Sequence, residues 1–494
     1  MDGAPGSKRQ RTDGVVAAPK ATAREAPGTL PGTVAVEVAG VMPRHEVGQT
    51  FLVPGLVIRE HVFTVPLDYS GAEATRGKTI TIFAREVMAP ARNEGLPWLV
   101  YLQGGPGFEA PRMSEASIWV RPAIGSHRLL LLDQRGTGRS TPITTTNLPL
   151  RGGPEEQAEY LSYFRADSII KDCEVVRRLL VPSTSFGGRW SVLGQSFGGF
   201  CATTYLSQAP QGLMEVLITG GLPPGVGLPC SAEVVYGALH KRVIAANHKY
   251  YDRFPNDVEH VQRIVKYLAA QPGGGATLPD GTLLTPRLLQ TLGLSGLGSG
   301  GGFERLHYLL DGFFDAEGHM TPAFAKAFDS WHSWDSNPLY ALVHEAIYCQ
   351  GGEASNWAAD RVRAQEPFAS QFDAVAAAEE GRRVLFTGEC VYRFMFEDLA
   401  PLRPLLPTAD ALAARTEWGP LYDAKTLANN KVPVAALAYV EDLYVDFGLS
   451  QETAAAIRGI KLWTTNEYRH SGIRDDGSRI FERLLGMVRN VIFD

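Results

Sequence analysis

Cysteine is scarce in this sequence, and its few residues are not spaced in pairs. The five cysteines stand at positions 173, 201, 230, 349 and 390, and no Cys-x-x-Cys motif occurs. Disulfide frameworks and zinc sites usually need an even or closely paired set, so neither is expected here. The pattern predicts free thiols and a reducing compartment, most simply the cytoplasm.

Long apolar runs and an excess of positive charge are also absent. No stretch of about 20 apolar residues occurs that would predict a membrane span. The first residues lack the apolar core of a signal peptide. With 47 Lys and Arg against 53 Asp and Glu, the formal net charge is −6. Nucleic-acid binding usually needs a basic excess. We therefore expect a soluble protein with neither membrane nor nucleic acid as a partner; an oligomer stays open.

Large apolar residues are few before position 50, where Ala, Gly and Pro dominate. This composition predicts a disordered or loosely attached leader over residues 1–50. The short basic run Lys8-Arg9-Gln10-Arg11 is either a targeting signal or simply solvated charge. Acidic residues at positions 2, 13 and 25 argue against a transit peptide, which is usually poor in acids.

Beyond the leader, short apolar runs alternate with helical patterns. A central parallel strand buried on both faces has this appearance. The predicted strands are 61–66, 79–87, 98–102, 128–133, 190–193, 215–219, 432–439 and 460–464. Between residues 223 and 424, Pro-rich and Gly-rich breaks separate mainly helical stretches. We predict an α/β fold whose core, residues 51–222 and 425–494, holds a mostly parallel eight-stranded sheet, with a helical cap domain inserted at 223–424.

A Gly-x-Ser-x-Gly motif, Gly194-Gln195-Ser196-Phe197-Gly198, stands between a predicted strand and a helical run. A nucleophilic serine needs this setting, because the glycines let a strained turn close and lift the hydroxyl above the sheet. A glycine-rich structural turn is the alternative in a chain with 52 Gly. The context predicts Ser196 as a nucleophile and the amide of Phe197 as one donor to an oxyanion.

A second glycine-rich loop, Gln103-Gly104-Gly105-Pro106-Gly107, directly follows the predicted strand 98–102. Small residues let backbone N–H groups approach a developing oxyanion. Alone, this loop would be read as a plain turn. Combined with the serine motif, it predicts that Gly104 and Gly105 supply the second donor.

A serine nucleophile also needs a base and an acid, which this kind of fold places late and in the order acid, then histidine. Of 11 His, only His470 lies beyond the last predicted strand. The acid should follow strand 432–439, where Glu441 and Asp442 both qualify. A single histidine is often only a packed or surface residue. Order and position predict His470 as the base and leave the acid open between two residues.

The order of these motifs resembles that of the proline iminopeptidase family, whose members have the α/β-hydrolase fold. The resemblance spans about residues 55–490 and is to the longer members. It rests on Gly104–Gly107, Asp133–Ser140 and Gly194–Gly199, and on shorter matches at 164–169, 220–223, 337–341, 387–389 and 466–468. In that family a Tyr-x-x-Asp-x-Tyr-Val stretch holds the acid, so the match at 439–445 implies Asp442. The family often has His where this chain has Gln103, which puts any contact specific to that His in doubt.

The resemblance implies a serine exopeptidase that releases an N-terminal proline, or a similar small residue, from short peptides with a free N-terminus. The reaction would pass through an acyl-enzyme on Ser196 and needs no metal or other cofactor. Because a fold does not determine a substrate, an esterase, lactonase or amidase of the same fold is an alternative. A non-catalytic binding protein on this fold is an alternative of another class.

Such an enzyme must bind an ammonium group, for which a buried carboxylate is suited. Glu345 falls on the apolar face of a predicted helix over 338–348, and Glu389 follows the apolar run 384–386. Both are candidates for substrate binding. The alternatives are an internal pair for Glu345, since a lone buried carboxylate is costly, and an exposed loop position for Glu389. Nearby aromatics either wall a proline-sized pocket or pack the cap core: Tyr348, Trp357, Tyr392, Phe394 and Phe396.

Overall fold

The computed structural model describes residues 36–91, 94–116, 118–227 and 230–492, and a large β-sheet lies at its centre. The strands are β1 (Arg44–Val53), β2 (Leu56–Pro66), β3 (Thr79–Met88), β4 (Trp98–Leu102), β5 (Arg128–Leu132), β6 (Trp190–Gln195), β7 (Leu213–Thr219), β8 (Ala276–Thr277), β9 (Leu283–Leu284), β10 (Val434–Tyr439) and β11 (Ile460–Thr465). Nine of them form one sheet in the order β1-β2-β3-β5-β4-β6-β7-β10-β11, while β8 and β9 pair separately.

The sheet has a parallel part and an antiparallel end. Strands β5, β4, β6, β7, β10 and β11 pair in parallel, whereas β1, β2 and β3 pair antiparallel and join the rest through β5. Every residue of β4, β6 and β10 is buried. This burial explains why central strands appear as unbroken apolar runs in the sequence. The predicted mostly parallel α/β fold is confirmed.

The predicted count of eight strands is wrong by one, because β1 was assigned to the leader. Residues 44–50, the end of the predicted 1–50 leader, belong to β1 and pair with β2. As an edge strand, β1 leaves most of its side chains exposed, so it needs no apolar run. Edge strands of this kind are hard to find from hydrophobic pattern alone. The basic run at residues 8–11 lies outside the described residues.

Three helices of the first half of the chain lie against the sheet: α1 (Val120–Ser126), α3 (Ala166–Leu180) and α4 (Phe197–Gln208). Helix α2 (Pro154–Ser162) instead packs against a later helix, Leu406–Ala414. Helix α4 follows β6 after a single residue, and almost all of its side chains are buried. This tight connection determines where the residue between β6 and α4 can point.

Helices dominate the segment between β7 and β10, as the sequence pattern predicted. They are α5 (Ala232–Arg253), α6 (Asp257–Ala269), α7 (Pro286–Leu289), α8 (Gly293–Gly298), α9 (Gly302–Asp311), α10 (Pro322–Asp329), α11 (Pro338–Val343), α12 (Ala358–Arg363), α13 (Phe368–Gln371), α14 (Ala374–Glu379), α15 (Met395–Asp398), α16 (Leu406–Ala414) and α17 (Ala424–Ala428). We call residues 220–433 the cap segment. Within the described residues, no helix has the length and hydropathy needed to cross a membrane.

The chain closes with α18 (Phe447–Ala456), α19 (Gly472–Asp475) and α20 (Gly477–Val488). Side chains of α1 and α20 form the apolar core on one face of the sheet. Side chains of α3 and α4 form the core on the other face, which continues into the cap segment. The carboxyl ends of the parallel strands meet at one edge of the sheet, and the loops after β4, β6, β10 and β11 carry all the predicted groups of the catalytic centre.

Candidate active site

Ser196 occupies a strained turn between β6 and α4. Its backbone has φ 55° and ψ −125°, a conformation that L-residues rarely adopt. The flanking glycines are required by close backbone contacts. A Cβ at Gly198 would lie 1.9 Å from the carbonyl oxygen of Leu102, and one at Gly194 would lie 2.3 Å from that of Gly198. Steric exclusion of side chains therefore explains the Gly-x-Ser-x-Gly spacing.

The structure brings Ser196, His470 and Asp442 into one chain of hydrogen bonds. The Ser196 Oγ lies 2.8 Å from His470 Nε2. His470 Nδ1 lies 3.0 Å and 2.9 Å from the two carboxylate oxygens of Asp442. All three side chains are buried. Because a carboxylate only accepts, Nδ1–H donates to Asp442, which leaves Nε2 to accept the serine proton.

The two acids that follow β10, Glu441 and Asp442, have different surroundings in the structure. The Oδ1 of Asp442 also accepts the amides of Tyr444 at 2.8 Å and Val445 at 3.1 Å, which hold the carboxylate in place. Glu441 turns the other way, where its half-exposed side chain pairs with Lys249. Only Asp442 can therefore orient the imidazole of His470.

Amide groups of two separate segments lie next to Ser196. Phe197 is the first residue of α4, so its N–H has no acceptor within the helix. Gly104 packs against the serine: a Cβ at 104 would lie 2.8 Å from Ser196 Cβ and 2.6 Å from the Gln195 side-chain oxygen. Gly105 has φ 130°, a region that favours glycine. Gly104 and Phe197 thus lie next to the predicted nucleophile, and Gly105 lines the same cavity.

Gln103, the departure from the family pattern, takes part in a local contact. Its side-chain oxygen accepts the Tyr101 hydroxyl at 2.6 Å, and its backbone oxygen accepts the Gln134 amide at 3.0 Å. These bonds support the loop from the side of the sheet.

Ser196 and His470 open into a cavity of about 290 Å³ between the sheet edge and the cap segment. Half of the lining comes from each side. The core contributes Gln103, Gly104, Gly105, Phe108, Gln195, Ser196, Tyr444, His470 and Arg474, and the cap contributes Leu294, Ser295, Ser299, Trp331, His332, Ser333, Trp334, Tyr340 and Glu389. The cavity therefore combines aromatic and other apolar walls with many polar groups from both sides.

Glu389, predicted as a substrate-binding acid, is in this cavity. Its Oε1 accepts the hydroxyl of Tyr340 at 2.9 Å. Burial raises the pKa of the Glu389 carboxyl to about 7, and the nearby His470 and the Tyr340 hydroxyl oppose that shift. A buried acid with a raised pKa and an unfilled bonding capacity is suited to receive a cationic group.

Glu345, the other predicted substrate-binding acid, is not in the cavity. Its two carboxylate oxygens accept the amides of Ala358 at 3.1 Å and Ala359 at 2.9 Å, the first two residues of α12. This is the internal partner that a buried carboxylate on an apolar face requires. The substrate contact predicted for Glu345 is therefore corrected to a helix cap.

The aromatic residues of the cavity are not the ones that the sequence pattern suggested. The five aromatics named above do not line it; Phe108, Trp331, Trp334, Tyr340 and Tyr444 do. The Tyr444 ring stacks on His470 at 4.4 Å between centroids, and its hydroxyl donates to the Leu294 carbonyl at 2.6 Å. Among these five aromatics, Tyr444 could have been recognised in the sequence, because it stands two residues after Asp442, the predicted acid.

Glycines also allow the cap to approach the catalytic loops. A Cβ at Gly298 would lie 2.1 Å from the Tyr444 ring, and one at Gly107 would lie 2.6 Å from the amide nitrogen of Tyr340. Gly298, at the end of α8, is thus tightly packed, while residues 299–301 form a turn before α9. Through these close contacts, the loop after β4 packs against Tyr340 of the cap, and Tyr444, which stacks on His470, packs against Gly298 of the cap.

The motif at 133–140 stabilises the core and does not line the cavity. Asp133 forms a two-pronged ion pair with Arg112, at 2.7 Å and 2.6 Å. Arg135 is fully buried and pairs in the same way with Asp172, at 2.7 Å and 2.6 Å. Removing one partner would leave an uncompensated buried charge. In the sequence this motif carries the family resemblance, and in the structure it carries these two ion pairs.

Within the described residues, no group of three or more His, Cys, Asp or Glu side chains is arranged to hold a metal ion. All five cysteines are free thiols.

Comparison with known proteins identifies the fold and the family. The family described as alpha/beta hydrolase fold matches residues 97–266. A proline iminopeptidase from Aeromonas sobria is 45% identical over 442 residues, which cover 89% of this chain and 98% of that protein. A proline iminopeptidase from Aspergillus aculeatus is 36% identical over 437 residues, 86% of this chain and 92% of that protein.

Among solved structures, a proline iminopeptidase from Mycobacterium smegmatis aligns over 84% of this chain and 96% of its own, with 12% identity and a TM-score of 0.38. The two sequence relatives are matched over nearly their full length. This chain belongs to the proline iminopeptidase family, within the α/β-hydrolase fold.

Proposed function

We propose that this enzyme releases an N-terminal proline, or a similar small residue, from short peptides with a free amino group. The observation that supports it most is a single cavity that holds both a hydrogen-bonded Ser196–His470–Asp442 chain and the buried carboxyl of Glu389. An ordinary esterase site needs the first feature and not the second. The names of the two sequence relatives point to the same activity.

The proposed reaction is acyl transfer in two steps. The Ser196 Oγ attacks the scissile carbonyl carbon while His470 Nε2 takes the hydroxyl proton. The amides of Phe197 and of Gly104 or Gly105 stabilise the oxyanion. His470 then gives the proton to the leaving nitrogen, the C–N bond breaks, and a prolyl ester of Ser196 remains. Water, deprotonated by His470, attacks this ester and releases free proline, which restores the serine.

In this proposal Glu389 binds the ammonium group of the substrate and selects against blocked N-termini. The Tyr340 hydroxyl holds one oxygen of the carboxylate and leaves the other free for the substrate. Aromatic rings of the cap give the proline ring an apolar surface. Because the cap supplies half of the cavity lining, only short or unfolded peptide ends are expected to enter.

The test compares proline p-nitroanilide with its N-acetylated form. We expect turnover of the free amine alone, with the Ser196→Ala variant inactive on it. Equal turnover of both forms would favour the esterase or amidase alternative. If neither form is hydrolysed and Ser196 does not react with a fluorophosphonate, the binding-protein alternative replaces an enzyme.

Replacing Glu389 by glutamine is expected to raise KM for proline p-nitroanilide by about ten- to a hundredfold, since a charge-assisted hydrogen bond is lost. Steady-state kinetics would measure it. Glu345→Gln is the matched control. It should leave KM unchanged and lower the free energy of unfolding by about 1 kcal/mol, because the α12 cap weakens. A rise in KM in the control alone would reverse the assignment of the two acids.

Amine binding should weaken as the pH falls through about 7, the raised pKa of Glu389. The carboxylate form is the one that binds a cation, and it is lost below this pKa. The Ki of pyrrolidine, which stays cationic, should rise by at most about tenfold per pH unit between about pH 7 and pH 5.5. The Glu389→Gln variant should show a nearly flat Ki. If the Ki changed with pH in the same way in both proteins, the titrating group would be a residue other than Glu389.

Two further sequence predictions stay predictions, the cytoplasmic location and the division into core and cap as separate domains, and the oligomeric state stays open. We propose that residues 51–222 and 425–494 act as the catalytic domain, and that 223–424 controls access to it. Independent cap motion would be measured as faster amide exchange in 223–424 than in the core.

A further inference from the structure

The cavity contains one charged group that neither the Ser196–His470–Asp442 chain nor the proposed amine site uses. Arg474 lines the cavity from α19, four residues after His470. Within the described part of the chain, its guanidinium makes no hydrogen bond or ion pair. An arginine has five N–H donors, so this one has its full bonding capacity available to a ligand.

The acids next to Arg474 in the chain bind other partners. Asp475 accepts the Ser471 hydroxyl at 2.8 Å, and Asp476 accepts the Tyr468 hydroxyl at 2.6 Å. Asp476 also lies 3.8 Å from Arg479. The positive charge of Arg474 is therefore not neutralised by a direct contact and is exposed toward the cavity and solvent.

The cavity lining carries one acidic and one basic side chain, and they come from different parts of the molecule. In the lining that the structure describes, Glu389 is the only carboxylic acid and Arg474 the only Lys or Arg. His332 adds no charge near neutral pH, since burial lowers its pKa to about 4. The acid comes from the cap segment and the arginine from the core, and the same lining includes Ser196 and His470.

A short peptide with two free ends carries the complementary charges. Its ammonium group would lie at Glu389 and its carboxylate at Arg474, with the scissile bond near Ser196. The cavity, at about 290 Å³, is at the lower end of the ~300–1,000 Å³ range of small-molecule sites. A guanidinium fork matches a carboxylate in shape as well as charge.

We propose that Arg474 binds the free carboxylate of dipeptides and small tripeptides, and that the enzyme prefers these substrates to longer or C-terminally blocked peptides. This inference rests on the proposed aminopeptidase function and adds the C-terminal end of its substrate. Arg474 is then a residue that determines specificity for peptide length, and it takes no part in bond cleavage.

The test is the ratio of kcat/KM for Pro-Ala to that for Pro-Ala amide, which differ only in the terminal charge. In the unmodified enzyme this ratio should be about five to ten, because an exposed guanidinium is partly screened by water. It should fall to about one in Arg474→Gln and keep an intermediate value in Arg474→Lys. The matched control is Arg479→Gln, an exposed arginine outside the cavity, in which the ratio should not change.

Salt gives a second readout that needs no variant. Raising the salt to roughly 0.5 M should lower the ratio in the unmodified enzyme, since it screens an exposed ion pair. A ratio of one in the unmodified enzyme, or a ratio that persists in Arg474→Gln, would overturn the inference while the proposed function stands. Hydrolysis of neither substrate would instead overturn the proposed function, and the inference with it.

Discussion

Replacing Ser196 by alanine is expected to lower kcat/KM for proline p-nitroanilide by about four to six orders of magnitude. The Oγ that is removed lies 2.8 Å from His470 Nε2, and no other hydroxyl is bonded to that nitrogen in the described structure. The remaining rate would come from the oxyanion donors and substrate binding. Steady-state or single-turnover assays would measure the loss.

The fold should survive this change, because the strained turn is held by the backbone and not by the hydroxyl. The Ser196 amide donates to the Thr219 carbonyl at 2.9 Å, and Gly199 donates to the Ser196 carbonyl at 2.7 Å. Thermal unfolding checks this point. Ser162→Ala is the control, since that hydroxyl bonds only to the Glu159 carbonyl on helix α2. If a fluorophosphonate labelled the control and Ser196→Ala equally, Ser196 would not be the nucleophile.

Replacing Asp442 by asparagine is expected to lower kcat by about 10⁴-fold with little change in KM. The Oδ1 of residue 442 accepts the amides of Tyr444 and Val445, so the amide oxygen should keep that place. The NH₂ group would then face His470 Nδ1 and donate to it. The imidazole would carry its proton on Nε2 and could no longer accept the proton of Ser196.

Glu441→Gln is the matched control for Asp442→Asn. The two acids are adjacent, and position along the chain fits both as the partner of His470, while the family resemblance implies Asp442. Glu441 is half-exposed and pairs with Lys249, so its replacement should change kcat by less than about threefold. A loss of rate in Glu441→Gln as large as that in Asp442→Asn would contradict the arrangement described here.

The two candidate substrate acids show what a local pattern can and cannot predict. Glu345 was placed on an apolar helix face and is buried, as that pattern indicates. Its partners, the first amides of α12, are 13 and 14 residues away and are set by how the cap helices pack. Glu389 had no helical pattern at all, yet packing of the cap over the sheet edge puts it in the cavity with Ser196.

The sequence by itself determined the features that depend on neighbours along the chain. Apolar runs predicted eight of the nine strands, seven of which have a partner strand on both sides. The Gly-x-Ser-x-Gly motif predicted the turn at Ser196, because only glycine fits the backbone contacts at 194 and 198. The order of motifs predicted His470. The edge strand β1 escaped this reasoning, because one partner strand and an exposed face impose no apolar pattern.

Tertiary structure alone decided the contacts between distant segments. His470 and Ser196 are 274 residues apart, and the Tyr340–Glu389 bond spans 49 residues. The separation of Glu345 from the cavity and the position of Arg474 in its lining depend on where whole elements pack. Such contacts leave no periodic signal in the sequence, because side chains from different elements meet only after the sheet edge and the cap have come together.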